Sequence, residues 1–161
     1  MARRGALAAA LLAATTILAS CASGAMTADV DVSITSSGLH LSQTTYDRQG
    51  PISFNIDNSS GQYRNLLIIR YNHVSSLPLK PDGTVDTGAV SLADQVDVLA
   101  PGRYHLLSPD LTNGTYLFVT MPVRAAAGTP IIGNQRYIAT VSAVGPYRPQ
   151  MSARFVVSGP S

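Results

Sequence analysis

The sequence predicts an all-β sandwich, and three observations carry that prediction. Beyond residue 28, apolar and polar residues alternate in short runs, which is the period of a half-buried strand. Gly, Pro, Asn and Asp clusters separate those runs at close intervals. The apolar share of 45% is enough for a packed domain rather than a disordered one.

In order along the chain, Val30, Val32 and Ile34 alternate with Asp29, Asp31 and Ser33 and mark the first strand. Leu39 and Leu41 bracket His40 in the same period, which turns the imidazole to the opposite face, toward solvent. Gly50-Pro51 punctuates the chain, and Ile52, Phe54 and Ile56 alternate after it. Asp57-Asn58-Ser59-Ser60-Gly61 is a turn cluster. Leu66-Leu67-Ile68-Ile69 is a continuous apolar run, as expected of a strand covered on both faces. Pro78, Pro81 and Asp82-Gly83 break the chain into an irregular stretch. Ser91, just ahead of Leu92-Ala93-Asp94, is placed to cap a single helical turn. Val96 and Val98 then alternate with Gln95 and Asp97, and Pro101-Gly102 turns into a strand over residues 104–107. Asn113-Gly114 precedes another over residues 116–121, and residues 136–144 and 152–157 close the set. About eight or nine short strands with such turns between them argue for a β-sandwich.

The N-terminal residues follow a different plan. Arg3 and Arg4 give a positive start, an alanine-rich apolar run follows, and Leu18-Ala19-Ser20-Cys21 ends it with small residues. Those are the parts of a secretory signal. The apolar run is shorter than the about 20 residues that a permanent bilayer-spanning helix needs. The segment LASC also resembles the lipobox of bacterial lipoproteins, in which the cysteine is acylated on sulfur and becomes the new N-terminus. The plainer alternative is an ordinary signal peptide with a cysteine at its edge. The lipobox reading gives a lipoprotein signal peptide over residues 1–20, lipidation at Cys21, a tether over 21–28 and a domain over 29–158. The protein would then sit in the bacterial cell envelope, held to a membrane by its lipid and facing away from the cytoplasm.

Loss of the signal changes the charge argument. Arg3 and Arg4 leave with it, so the eleven basic residues fall to nine, against nine acids. No basic patch remains to argue for a nucleic-acid partner. With Cys21 acylated, no thiol is left for disulfides, thiolate metal sites or cysteine catalysis. His40, His73 and His105 show no HxH, HxxxH or HExxH spacing. Ser108 and Ser142 have no nearby His/Asp arrangement to activate a hydroxyl, and the chain contains no glutamate as a general acid. Asp29 and Asp31 share a strand face and could hold a cation, or form the wet side of a sheet, too few alone for calcium. The sequons at Asn58 and Asn113 mean little in a bacterial chain. The expectation is a non-enzyme with no cofactor.

Four segments resemble a known family. GPYRPQMSARFVV (residues 145–157) is similar to the closing motif of cupredoxins, and GPISFNIDNSSGQYRNLLIIR (residues 50–70) to that family's second region, where a ligand histidine precedes an apolar strand. LPLKPDGTVD and PGRYHLLSPDLTNGTYLFV resemble the stretch between them. The resemblance implies a Greek-key β-sandwich, cupredoxin-like, over roughly the whole domain. A blue-copper site takes two histidines, a cysteine and a weak axial methionine. Carried over, the first histidine lands near Arg64 and the second on Pro146. The cysteine lands on Val141, or on Thr120 if the strand opened by Gly114-Thr115-Tyr116 is the true equivalent and an insertion follows. The methionine is kept as Met151, which then reads as core filler. The resemblance thus implies a cupredoxin-like domain that has lost its copper.

MPVRAAAGTPIIGNQR (residues 121–136) is the insertion. Residues 122–135 are expected to be the least regular part of the domain, with Ile131 and Ile132 turned inward over an open core; an apolar contact surface for a partner is the alternative. Three functional readings remain: a metal-free envelope lipoprotein acting as an accessory or interaction module; a copper-binding or electron-transfer protein using His40, His73 or His105 with Met121 or Met151; and an immunoglobulin-like adhesion or ligand-binding sandwich. Against the last, the seven tyrosines are dispersed and tryptophan is absent. The anchor is directly testable. Cys21→Ser should release the chain from the membrane fraction or stall its processing; a variant that matures normally and stays membrane-bound overturns the assignment. Stable anchoring requires more than one acyl chain, so mass spectrometry of Cys21 should show at least two.

Overall fold

The computed structural model describes residues 28–71, 76–124, 142–143 and 146–160. In chain order the strands are β1 (Val30–Ile34), β2 (Leu39–Leu41), β3 (Thr45–Tyr46), β4 (Gly50–Pro51), β5 (Phe54–Asn58), β6 (Arg64–Arg70), β7 (Ser91–Leu99), β8 (Arg103–Leu107), β9 (Asp110–Leu111), β10 (Gly114–Val119), β11 (Val123–Arg124), β12 (Ser142–Ala143) and β13 (Ser152–Val157). Single 3-10 turns sit at Thr87–Ala89 and Pro149–Met151. Among these residues no helix is long and apolar enough to cross a membrane.

Alternation builds two layers. A four-stranded sheet has the order β2-β1-β5-β8, and a five-stranded sheet has the order β3-β13-β10-β6-β7. β1 runs parallel to β5 and β3 parallel to β13, while the other pairings within these sheets are antiparallel. The chain passes from the first sheet to the second between β5 and β6, and back between β7 and β8. It then returns as β10 to lie against β6, with β7 and β8 intervening in sequence, so the connections are of Greek-key type. The fold is an all-β Greek-key sandwich, the architecture that the strand pattern and the resemblance both predict.

The space between the sheets is filled by the alternating residues of the sequence pattern. Val30, Val32, Ile34, Phe54 and Ile56 face Leu66, Ile68, Tyr116, Phe118, Phe155 and Val157. Phe54 of the first sheet meets Phe118 and Phe155 of the second at centroid distances of 5.0 and 5.4 Å, and those two lie 5.8 Å apart. Their tilted and edge-on contacts are the favourable arrangements for aromatic quadrupoles.

The second sheet is apolar on its other face as well. Leu67, Ile69, Val119 and Met121 pack there with Val85, and Leu77, Val90 and Tyr147 close over them. This second layer explains the unbroken apolar run of β6, whose residues 66–69 are all buried. Its cover is the irregular stretch after β6, tied down by Lys80 N–H to Thr84 O and by Asp86 N–H to Pro78 O, each within 2.9 Å. Asp82 Oδ1 accepts from both the backbone N–H and the hydroxyl of Thr84.

Two local expectations need correction. Ser91 does not cap a helical turn; it opens β7, where it pairs with Arg70 while Leu92 pairs with Ile69. The helical turn lies just before it at Thr87–Ala89, capped by Asp86, whose Oδ1 accepts from Gly88 N–H. The reason is tertiary: β7 is an edge strand with an exposed first half, so no apolar period marks its start, and the ladder bonds of β6 recruit it. The insertion expected to be irregular over residues 122–135 is instead paired at its start: Val123–Arg124 forms β11 against β12 (Ser142–Ala143), the described part of the strand expected over residues 136–144, and the rest of both lies outside the described residues, as do Cys21, His73, Ile131, Ile132 and Val141.

Because the phenylalanine triad joins the sheets, Phe118→Ala should cost about 3–5 kcal/mol of unfolding free energy, read from denaturant melts at constant m-value. A loss of less than about 1 kcal/mol would show that the sheets are joined elsewhere.

Candidate functional site

On β6, β10 and β13 the inward-facing residues are Leu66 and Ile68, Tyr116 and Phe118, and Phe155 and Val157. Side chains alternate along a strand, so one further step brings Arg64 of β6 and Thr120 after β10 to the same inward row at one end of the sandwich, while β13 continues inward through Ala153 to Met151 in the 3-10 turn just before it. Hydrogen bonds show that they meet. Arg64 Nη1 donates to Met151 Sδ at 3.5 Å, and Thr120 N–H donates to Met151 O at 2.9 Å. Thr120 Oγ1 donates to Asn65 O at 2.6 Å, and Asn65 Oδ1 accepts from Met121 N–H at 2.8 Å. Side chains thus supplement the backbone where the regular β6–β10 ladder stops at Leu67 and Val119 and gives way to single bonds such as Asn65 N–H to Met121 O.

Arg64 dominates this end. It is 3% exposed, and among the described residues it is the one buried side chain that carries a charge. Nε donates to Ser60 Oγ at 3.1 Å, and Ser60 passes its own proton to Asn58 Oδ1 at 2.7 Å. Asn58 is fully buried and donates from Nδ2 to Gln62 O and Leu99 O, both at 2.8 Å, so the turn beneath Arg64 is a closed polar plug. Burial holds the guanidinium pKa below its ordinary value, because desolvation disfavours the charged form. Asn58 was legible as a turn residue but not as a buried one. Ser60 and Asn65 carried no sequence signal beyond the turn cluster.

The positions carried over from the copper site are partly assembled. Arg64, Thr120 and Met151 converge, with β10 lying between β6 and β13 and Thr120 beside Met151; Val141, the other position to which the cysteine carries over, lies outside the described residues. Pro146 does not join them. It is exposed and packs on Gly83, where a Cβ would come within 2.8 Å of Pro146 Cβ, and Tyr147 N–H donates to Gly83 O beside it. Gly83 has φ +79°, so that position favours glycine for its backbone as well. Met151 is not core filler: it is half-buried, and its sulfur accepts from the guanidinium.

Among the described residues, His40 and His105 do not meet. His40 pairs with Ser33 on β1 and is exposed on the outer face of the first sheet. His105 pairs with Ile56 on β5 and therefore points to the inner face. β1 and β5 separate their strands, a span of about 14 Å at the usual strand spacing. Met121 packs beyond the second sheet, away from both. Among the described residues no group of three or more His, Cys, Asp or Glu side chains is placed to hold a metal ion.

Asp29 and Asp31 are spent on cross-strand bonds. Asp29 Oδ2 accepts from the N–H and hydroxyl of Ser53, and Oδ1 accepts from the Tyr46 hydroxyl at 2.7 Å. Arg48 donates to the same hydroxyl and lies over the Tyr46 ring. Asp31 accepts from Asn55 Nδ2 at 3.1 Å.

No protein-family model and no curated protein sequence matches the chain. Among solved structures it is similar to Na-dithionite-reduced auracyanin from the photosynthetic bacterium Roseiflexus castenholzii, at 15% identity and a TM-score of 0.44, over 79% of this chain and 94% of that one.

The bonds at Asp29, first the Ser53 N–H and then the Tyr46 hydroxyl, lower its pKa. A carboxylate with a lowered folded pKa adds stability that is full above the ordinary carboxylate pKa and is lost as pH falls through the folded value. Asp29→Ala should therefore lower stability at neutral pH by about 1 kcal/mol at most, the site being at the surface. The difference from wild type should shrink in melts taken progressively below pH 4, a flat difference ruling out the carboxylate as its source.

Proposed function

We propose that this chain is a membrane-anchored envelope lipoprotein whose cupredoxin-like domain works without metal and without catalysis, as an accessory or interaction module. One observation carries the metal-free reading: a buried guanidinium, Arg64, stands where the resemblance puts the first ligand histidine, in contact with the retained methionine. A fixed positive charge opposes a cation there, and a thioether alone does not hold Cu(II). Of the two positions to which the thiolate carries over, Val141 has no metal-binding group, and Thr120 has a hydroxyl whose proton is already given to Asn65 O.

The non-catalytic reading draws on the same positions. His40 and His105 project to opposite faces of the first sheet, so they do not act together as acid and base. The interaction role draws support from β8, the edge of the first sheet, which shows Tyr104 at 70% and Leu106 at 41% exposure on one face. Membrane attachment rests on Cys21 and the lipobox resemblance.

The full chain in detergent, titrated with Cu(II), should develop no intense blue band, since that absorption needs a thiolate. After dialysis it should retain well under one copper per chain. A stoichiometric site that raises Tm and disappears on replacing His40, His73 or His105 would overturn the metal-free reading.

A further inference from the structure

We propose that Arg64 forms the floor of a binding site for a small oxyanion of the carboxylate class, at the end of the sandwich where β6, β10 and β13 converge. A buried cation is costly unless a charge or a full set of hydrogen bonds compensates it. Among the described residues nothing supplies such a charge. The chain's nine acids are all aspartates, every one lies among the described residues, and none is buried. The ion pair found among the described residues is that of Arg48 with Asp47, both exposed. The described chain runs on from β13 away from this end, to Pro160, whose carbonyl accepts from Gln49 Nε2.

The partners that Arg64 does have are neutral. Ser60 Oγ takes the Nε proton, and Met151 Sδ, a weak acceptor, takes one from Nη1. The remaining N–H groups of Nη1 and Nη2 form the outer edge of the fork, and none of the side-chain nitrogens is both fully buried and unpartnered. Nη2, which has no protein partner, therefore keeps some contact with solvent, and the planar fork matches two oxygens of a carboxylate in a bidentate pair. With the residue only 3% exposed, the opening suits one small group rather than an extended surface. Ser60 and the Asn58 plug hold the guanidinium plane from beneath, so the donors are fixed before the anion arrives.

The site is the reverse of the one the resemblance implies, with a fixed cation awaiting an anion where a cation would have met fixed ligands. It goes beyond the metal-free reading without depending on it, and a failed anion response leaves the copper titration unaffected. The test uses the full chain in detergent at constant ionic strength, with chloride exchanged stepwise for acetate. Tm should rise saturably, by about 3–6 °C at tenfold excess over Kd, and the Arg64 Nε resonance should shift along the same curve. Arg64→Met should abolish both responses. Should that variant fail to fold, Ser60→Ala, which keeps the charge but loosens its plane, should weaken acetate binding several-fold. A capped aspartyl peptide separates the sources: saturation by acetate alone marks a free ligand, and tighter saturation by the peptide marks a carboxylate side chain of a partner. A wild-type Nε resonance that moves with neither, or a Tm response equal in wild type and Arg64→Met, overturns the proposal.

Discussion

β6 is buried on both faces, and the other parts of the domain take their places from that constraint. Leu66 and Ile68 belong to the core between the sheets, and Leu67 and Ile69 to the layer beyond the second sheet. A slip of one residue would exchange the two sets, so the register of β6 is pinned from both sides. The outer layer in turn needs a cover, which comes from the stretch between β6 and β7 and from Tyr147. Fixing β6 also fixes Arg64: the parity that buries Leu66 and Ile68 sends the guanidinium inward at the end of the same row. The one buried charge among the described residues is thus a consequence of the register that makes the core.

That end of the sandwich is closed by side chains and backbone together, because the regular ladder gives way there to an irregular bridge between Arg64 and Pro122. Beyond Val119 the chain leaving β10 pairs with Asn65 through its N–H, carbonyl and side chain, and with the carbonyl of Met151. A buried backbone group without a partner costs more than a typical hydrogen bond gains, so polar residues at this end are structural before they are anything else. Thr120 is an instance. It is 1% exposed, and the hydroxyl that stands where the resemblance puts a thiolate acts as a strand clip.

What the sequence made legible followed from periodicity. Val30, Val32 and Ile34, the run from Leu66 to Ile69, and the final strand Ser152–Val157 are where alternation and apolar runs place them. β7 was misread at its start because an exposed edge strand has no buried face there to write a period into the sequence. β3, β4 and β9, two residues each, are shorter than any period and arise from pairing with distant strands. At the site, the resemblance brought Arg64, Thr120 and Met151 to notice, but not the role of Ser60 or Asn58. Those two act through a turn whose hydrogen bonds join residues as far apart as Asn58 and Leu99, and no local pattern encodes that.

The distribution of charge bears on what such an end can do. The aspartates sit in turns, on outer faces and at caps, where a local hydroxyl or backbone N–H satisfies them, as at Asp29, Asp82 and Asp86. Their partners are mostly short-range or cross-strand donors rather than cations, so acids and bases in this domain work largely apart. Arg64 is the extreme of that separation. Its long stem continues the apolar row of Leu66 and Ile68, and its head sits on a neutral platform of Ser60 and Met151. An apolar residue there would extend the core at less electrostatic cost, and an acid placed nearby would neutralise the charge. The chain has neither, so the stabilising counter-charge must come from outside it, and an uncompensated cation at a rigid, hydrogen-bonded end is what makes that end selective for sign.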